Sequence, residues 1–323
     1  MQHDAVVGRS VHVRVPASTA NLGPGFDSIG LALGLWDEYL VTTSAVPGLR
    51  VEVTGEGRAD VPTDERHLVV ATMRHTWSAL GVNPPAGLAL EAVNGVPHGR
   101  GLGSSATAIV AGVVAAQALS SNRDTAAGAP VAVARDVTNH LASVLEGHPD
   151  NASASVYGGL TLSWMPDGTG LDLGECTVTA RPQLLPQVDV VGFVPDRQLA
   201  TRTARAVLPD TVPLRSAASG AGRAALLVHA LTADPSHLHA ATRDWLHQEP
   251  RRASYPDTMA LVDALRAQGW AAFVSGAGPT VLVLTTAAQA HEVVLPDRLG
   301  FAGAGWRRIT PGVAHSGATV TAR

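Results

Sequence analysis

The chain has no lysine: all 23 of its basic residues, in a length of 323, are arginine. That absence excludes two large enzyme classes. A P-loop nucleotide hydrolase needs a lysine to reach the β- and γ-phosphates, and a pyridoxal enzyme needs one for its Schiff base. Cysteine is nearly absent too. Cys176 stands alone, so there is no internal disulfide and no paired-cysteine zinc or redox site, and a reducing, cytoplasmic setting is expected. Charge is sparse at 15%, with a net charge of -4 and no basic run, which argues against nucleic acid or an anionic membrane as partner. No apolar run approaches 18 residues and the first residues lack an apolar export core, so no membrane span is expected. The 13 histidines include no HExxH pattern, and His229, His237, His239 and His247 are not expected to form a zinc site.

What remains is rich in glycine (33 residues) and apolar side chains (46%). The first half alternates strand-like and helix-like stretches. Period-two runs predict strands at "VHVRV" (11–15), "LALGLWDEYLVTTS" (31–44), "LRVEVTG" (49–55) and "LALEAVNGVP" (88–97). Helical spacing predicts helices at about 65–80, 105–119 and 131–146, with a connector between the last two. Composition loosens at 166–186, which divides the chain into residues 1–180 and 181–323. The second part opens with the strand "VDVVGFVP" and continues with three or four helical stretches between Thr203 and Gln268. It then presents "WAAFVSGAGPTVLVLTT" as a hairpin around a glycine-rich turn. A helix at 287–294 and strands near Trp306 and Ala318 complete an α+β pattern.

Three glycine-rich loops carry the chemistry. In "PHGRGLGSSATA" (97–108), Gly99, Gly101 and Gly103 permit positive φ and leave no Cβ beside a ligand, while Ser104 and Ser105 open a helix whose N-terminal amides attract anions. Alone, the stretch serves equally as a strand-to-helix turn with a serine cap. Its company is "PASTANLGPGFDSIG" (16–30) and "VSGAGPTV" (274–281). In order, the three resemble the signature motifs of the galactokinase, homoserine kinase, mevalonate kinase and phosphomevalonate kinase superfamily. The long form "STANLGPGFD" is most similar to homoserine kinases, as are "EGHPDNASASVYGGL" (146–160) and "ATRTARAVLP" (200–209), so the resemblance spans almost the whole chain.

The resemblance implies a two-domain fold: an ATP-binding N-terminal domain with a left-handed βαβ crossover against a ferredoxin-like C-terminal domain, with the site between them. It also implies transfer of the γ-phosphoryl group of ATP to the side-chain hydroxyl of L-homoserine. Backbone from Pro97, His98, Gly99, Arg100, Gly101, Leu102, Gly103, Ser104, Ser105, Ala106 and Thr107 would hold the phosphates, and Ser105 with Glu146 would hold Mg2+. Asp27 is the candidate for the homoserine ammonium, supported by Asn21, with Gly276 beside the substrate. Arg205 and Arg251 are the candidates for its carboxylate, although Arg252 stands next to the latter. Asn151 falls where mevalonate-type relatives place an aspartate base, and an amide cannot accept that proton. His148 and Asp150 are the weaker alternatives for that part. His67 replaces the asparagine common before Leu-Val, which bears on adenine contacts. A kinase for another small alcohol and a non-catalytic sensor of nucleotide and metabolite are the competing readings, and a homodimer is a family expectation.

Overall fold

Period-two runs in the first hundred residues become one sheet. The structure, a computed structural model, describes residues 3–121, 125–166, 176–199, 201–296 and 305–323. Its first half runs β1 (His3–Asp4), β2 (Ser10–Asn21), β3 (Gly25–Ser44), β4 (Gly48–Gly55), α1 (Leu68–Ala79), β5 (Val82–Asn83) and β6 (Gly87–Asn94). It goes on through α2 (Ser104–Ser120), α3 (Arg135–Glu146), α4 (Pro149–Tyr157), β7 (Leu160–Trp164) and β8 (Val178–Ala180). The main sheet has the order β13-β2-β3-β6-β4, where β13 (Thr319–Ala322) is the last strand of the chain. β3 is long enough to pair twice, through Asp37–Ser44 with β6 and through Ile29–Leu31 with β7. β4 and β6 are parallel, joined by a crossover through α1.

Inward-facing residues of the sheet (Val13, Val15, Tyr39, Val41) pack against Val69, Met73 and Trp77 of α1 and Ile109, Val110 and Val113 of α2. α2 is composed almost wholly of Ala, Val and small polar residues and is buried on nearly every side, as an all-round apolar helix must be.

The second half contains β9 (Val188–Pro195), α5 (Thr201–Ala206), α6 (Leu214–Thr232), α7 (Leu238–Ala241), α8 (Gln248–Arg251), α9 (Pro256–Ala267), β10 (Ala271–Val274), β11 (Val281–Thr286) and β12 (Trp306–Ile309). Its sheet, β10-β11-β9-β12, is antiparallel throughout. In chain order that is 2-3-1-4, the arrangement of a ferredoxin-like domain. Alternation along β10 divides two cores. Ala272 and Val274 face Met259, Val262 and Leu265 of α9, while Ala271 and Phe273 face a core shared with Leu22, Leu31 and Leu33 of the first half. Each leucine buried in that shared core contributes about 2 kcal/mol, so the two halves are joined by apolar packing.

Three expectations change. The helix predicted at 131–146 starts at Arg135, because Val131 is drawn out to donate to the Val320 carbonyl (3.0 Å) and Pro130 bridges Thr321 beside β13. The stretch 287–294 forms only a single 3-10 turn, Ala290–Glu292, since it is short and Pro296 prevents its extension. The final strand, placed with the second part by a division at 180/181, pairs with β2 in the first sheet. Part of the predicted boundary segment, 167–175, and connector residues 122–124 lie outside the described residues.

Candidate active site

The glycine loop is held by a carboxylate beneath it. Asp37, fully buried in β3, accepts the N–H groups of Gly95 and Val96 on one oxygen (2.8 and 2.9 Å). Its other oxygen accepts the hydroxyls of Thr107 (2.6 Å) and Tyr39 (3.2 Å). Burial pushes this carboxyl above its usual range, and those hydrogen bonds with the nearby His98 pull it back. Between these anchors Gly99, Gly101 and Gly103 take φ values of 63°, 74° and 74°, where a Cβ is disfavoured. The N–H groups of Ser104, Ser105 and Ala106 precede the first intrahelical bond of α2, which Thr107 makes to the Gly103 carbonyl (2.9 Å). They are open to an anion at the positive end of the helix.

Not every group in 97–107 is free to meet an anion. Pro97 has no N–H to offer. Thr107 spends both its N–H and its hydroxyl internally. Arg100 laces the loop to β9, donating to the carbonyls of Pro195, Asp196 and His98 at 2.8 Å each. Leu102 is buried in the shared core.

Beside the cradle, Ser105 Oγ donates to Glu146 Oε1 at 2.6 Å. Glu146 is the last residue of α3, and Gly147 ends that helix in the left-handed region (φ 85°). Burial raises the Glu146 carboxyl above its usual range, opposed by the Ser105 bond and by the charges of His148 and Arg205. Two hard oxygen donors at the cradle's edge suit Mg2+, which takes few protein ligands and completes its shell with phosphate and water. On α4, Asp150 Oδ1 engages His148 Nδ1 (2.7 Å) and the Asn151 N–H (2.7 Å). Burial lowers the affinity of His148 for a proton, but the bond to Asp150 and its charge outweigh that and leave the imidazole above its ordinary value. Asn151 accepts from Ser18 Oγ (3.1 Å) through its carbonyl, leaving its NH2 group for the cavity it lines.

Across the cavity lies the turn between β2 and β3. Asn21, Leu22 and Asp27 all have positive φ (71°, 46° and 55°), at a cost of about 1 kcal/mol or more each. Leu22 is pinned in the shared core. Asn21 accepts the Asp27 N–H (3.1 Å) and donates to the Gly276 carbonyl (3.0 Å), while the Gly276 N–H reaches Ala20 (3.1 Å). Arg205 of α5 clamps Asp27 with two bonds, 2.5 and 3.1 Å.

Arg251, 1% exposed, donates to the Ala204 carbonyl (2.8 Å) and to His247 Nδ1 (3.1 Å). His247 Nε2 in turn donates to the Gly23 carbonyl (2.7 Å), which fixes the tautomer and the neutral form. Burial depresses this imidazole further. The Phe26 ring stacks on His247 (5.2 Å), with the Arg205 and Arg251 guanidinium carbons 5.5 and 5.8 Å from it. Arg252 points elsewhere, to Glu249 and Asp263. Glycine loop, Ser105, Glu146, His148, Asn151, Asp27, Arg205, Arg251 and Gly276 thus share one cavity.

A second cavity meets the first at Gly99, Ser104 and Ser105 and is walled by Tyr39, Val61, Pro62, Leu68 and Ala108, with His67 and His98. His67 is buried, its Nδ1 has no partner, and burial holds it below its ordinary value.

Sequence reasoning missed Phe26, Asp37 and His247. Asp37 had a readable signal. It shares the inward parity of Leu31, Leu33, Tyr39 and Val41 along β3, and a carboxylate on a core-facing parity needs partners.

Residues 67–159 match the family description "GHMP kinases N terminal domain" and residues 223–295 match "GHMP kinases C terminal". The chain is 47% identical to a homoserine kinase of Streptomyces avermitilis over 297 residues, covering 92% of this chain and 91% of that one. It is also 47% identical to a homoserine kinase of Cutibacterium acnes over 293 residues, covering 90% and 94%. Among solved structures, homoserine kinase from Cytophaga hutchinsonii superposes with a TM-score of 0.80 at 26% identity, over 96% of this chain and 97% of that one. Mevalonate diphosphate decarboxylase from Staphylococcus aureus shares the fold, with a TM-score of 0.69 at 18% identity over 97% and 98%.

Proposed function

The chain belongs to the homoserine kinases of the GHMP kinase family, and from that premise we propose that it transfers the γ-phosphoryl group of ATP to the side-chain hydroxyl of L-homoserine. The product is O-phospho-L-homoserine, on the route to threonine. One observation supports the reading: the glycine loop at the N-terminus of α2 lines the same cavity as Asp27, Arg205 and Arg251, charges that would match a zwitterion.

Phosphoryl transfer asks a protein mainly for alignment and charge neutralisation. The N–H groups of Ser104 to Ala106 receive the phosphates, with the glycine backbone before them allowing close approach, and the apolar cavity next to the loop takes the base. Arg205 and Arg251 receive the homoserine carboxylate. Asp27, aimed by its N–H bond to Asn21, receives the ammonium. Asn151 orients the hydroxyl without accepting its proton, so the proton leaves through phosphate or water, and in-line geometry and electrostatics carry the rate. His148, whose affinity for a proton Asp150 raises, lines the same cavity beside Asn151. Ser105 and Glu146 are the residues that would hold Mg2+, which when bound neutralises charge on the β- and γ-phosphates.

The test is ADP release measured with L-homoserine, mevalonate and galactose side by side, and with 1,3-propanediol, which keeps a reacting hydroxyl but neither charge. Turnover is expected with L-homoserine alone. Homoserine at the rate of buffer, or preference for an uncharged alcohol, would overturn the assignment.

A further inference from the structure

In the second half, α6 ends at Thr232 and the chain turns back on itself through a 3-10 turn. His229 lies in the last turn of α6, and its carbonyl accepts the N–H groups of both Ala233 (2.8 Å) and Asp234 (3.1 Å), which sets the corner. Asp234 then caps a 3-10 turn, Pro235–His237, by accepting the Ser236 N–H (3.0 Å) on Oδ1. The corner gathers three ligand-bearing side chains. One donor atom from each of His229, Asp234 and His237 lies within 4.8 Å of the other two. The imidazole centroids are 5.8 Å apart, and Asp234 Oδ2 is 3.5 Å from His237 Nε2.

We propose that His229, Asp234 and His237 form a binding site for a divalent transition-metal ion of the Zn2+ class, with water completing a tetrahedron. Two imidazole nitrogens and one carboxylate oxygen suit Zn2+ or Co2+ and are a poor set for Mg2+, which prefers oxygen throughout. Ligand bonds of about 2.0–2.1 Å place tetrahedral donors roughly 3.3 Å apart. Donors already within 4.8 Å reach that spacing by side-chain rotation alone.

Two further features favour a cation here. The corner is the C-terminal end of a 19-residue helix, where the aligned peptide dipoles are negative. Asp234 takes the Ser236 N–H on Oδ1 and turns Oδ2 toward the His237 ring (3.5 Å), so one carboxylate oxygen already faces the imidazoles. No Cys or HExxH pattern announces the site; it exists because a helix end and a capped turn converge.

The metal would staple the end of α6 to α7, and α7 leads directly into residues 242–251. The Thr242 carbonyl there abuts Gly23 of the signature turn. The site is therefore structural and separate from Ser105 and Glu146, whose donors are all oxygen.

The test uses the full chain without a histidine tag, stripped by a chelator. Zn2+ is titrated by calorimetry and Co2+ by its visible ligand-field band, on wild type, His229→Ala and His237→Ala. Glu146→Gln serves as a background that removes the oxygen site. The expected result is one equivalent of Zn2+ with a tetrahedral Co2+ spectrum, retained in Glu146→Gln and weakened about tenfold or more in either histidine variant. A rise in Tm with Zn2+ should likewise be confined to proteins that keep both histidines. Equal binding by wild type and the histidine variants, or no binding by wild type, would overturn the proposal.

Discussion

Replacing Arg205 by alanine should raise the KM for homoserine while leaving that for ATP nearly unchanged. Arg205 donates two hydrogen bonds to Asp27 at the cavity edge, and the two side chains are 37% and 35% exposed. Water therefore screens the pair, and as a stabilising contact it contributes no more than about 1 kcal/mol. Its place in substrate binding is larger, because a carboxylate docked on Arg205 forms charge-assisted bonds that its loss removes outright. At about 1.5–3 kcal/mol for such a contact, KM rises roughly 10- to 150-fold. Lysine should restore only part of the loss, since it cannot reproduce the two-pronged geometry.

Arg251, the second residue proposed for the carboxylate, lines the same cavity but is also buried. Its removal strands the Ala204 carbonyl and His247 Nδ1 and opens a void under Phe26, which should cost about 2–4 kcal/mol of folding stability. Steady-state kinetics together with urea unfolding separate the two cases. The reasoning fails if Arg205→Ala keeps the wild-type KM for homoserine, or raises both KM values alike.

Other outcomes follow from the same geometry. Gly99→Ala should fold and bind ATP more weakly by calorimetry, since φ is 63° and a Cβ would meet only the flexible Gln198 side chain at 3.3 Å. Gly103→Val should lose stability first, because its Cβ would run into Ser18; unchanged ATP affinity in folded Gly99→Ala would refute the cradle. Glu146→Gln should raise the Mg2+ concentration for half-maximal rate by about tenfold or more, read from initial rates across a Mg2+ series. His247 is kept neutral by burial, with its affinity for a proton depressed. The unfolded chain takes that proton more readily, so this contribution to stability is complete above about pH 6.5 and is lost as pH falls below it. Urea unfolding between pH 7.5 and 5.5 should show a smaller drop in His247→Gln, by about one proton's worth of slope; identical slopes would refute the assignment.

The three glycine loops were legible because each demands a residue type that nothing else supplies: positive φ beside an anion site. The strands of the first sheet were legible through alternation. The start of α3 was hidden because Val131 is pulled into a bond with Val320, almost two hundred residues away in the chain, and local propensity carries no trace of such a partner. Spacing from His247 and Pro256 favoured Arg251 over Arg252 only weakly, and it is the packing of α8 that sends one inward and pairs the other with Glu249 and Asp263. His247 and Phe26 were invisible for the same reason: a stacked pair made of residues more than two hundred positions apart has no local signature.

The return of β13 to the first sheet has a consequence for synthesis. β2 is translated long before its partner, since Val11 to Arg14 pair with the stretch Thr319 to Ala322, and the Arg323 N–H closes onto the Ser10 carbonyl at 2.9 Å. The residues leading into β13 are stitched on the way, Ala314 to Ala32 and Ala318 to Ser155. A nascent chain that has not yet reached residues 319–322 therefore exposes an unpaired edge on β2, a state open to pairing with another chain. Because β13 and β2 are antiparallel neighbours on that edge, a permutant that places β13 directly ahead of β2 would make the two strands neighbours in translation and remove the wait.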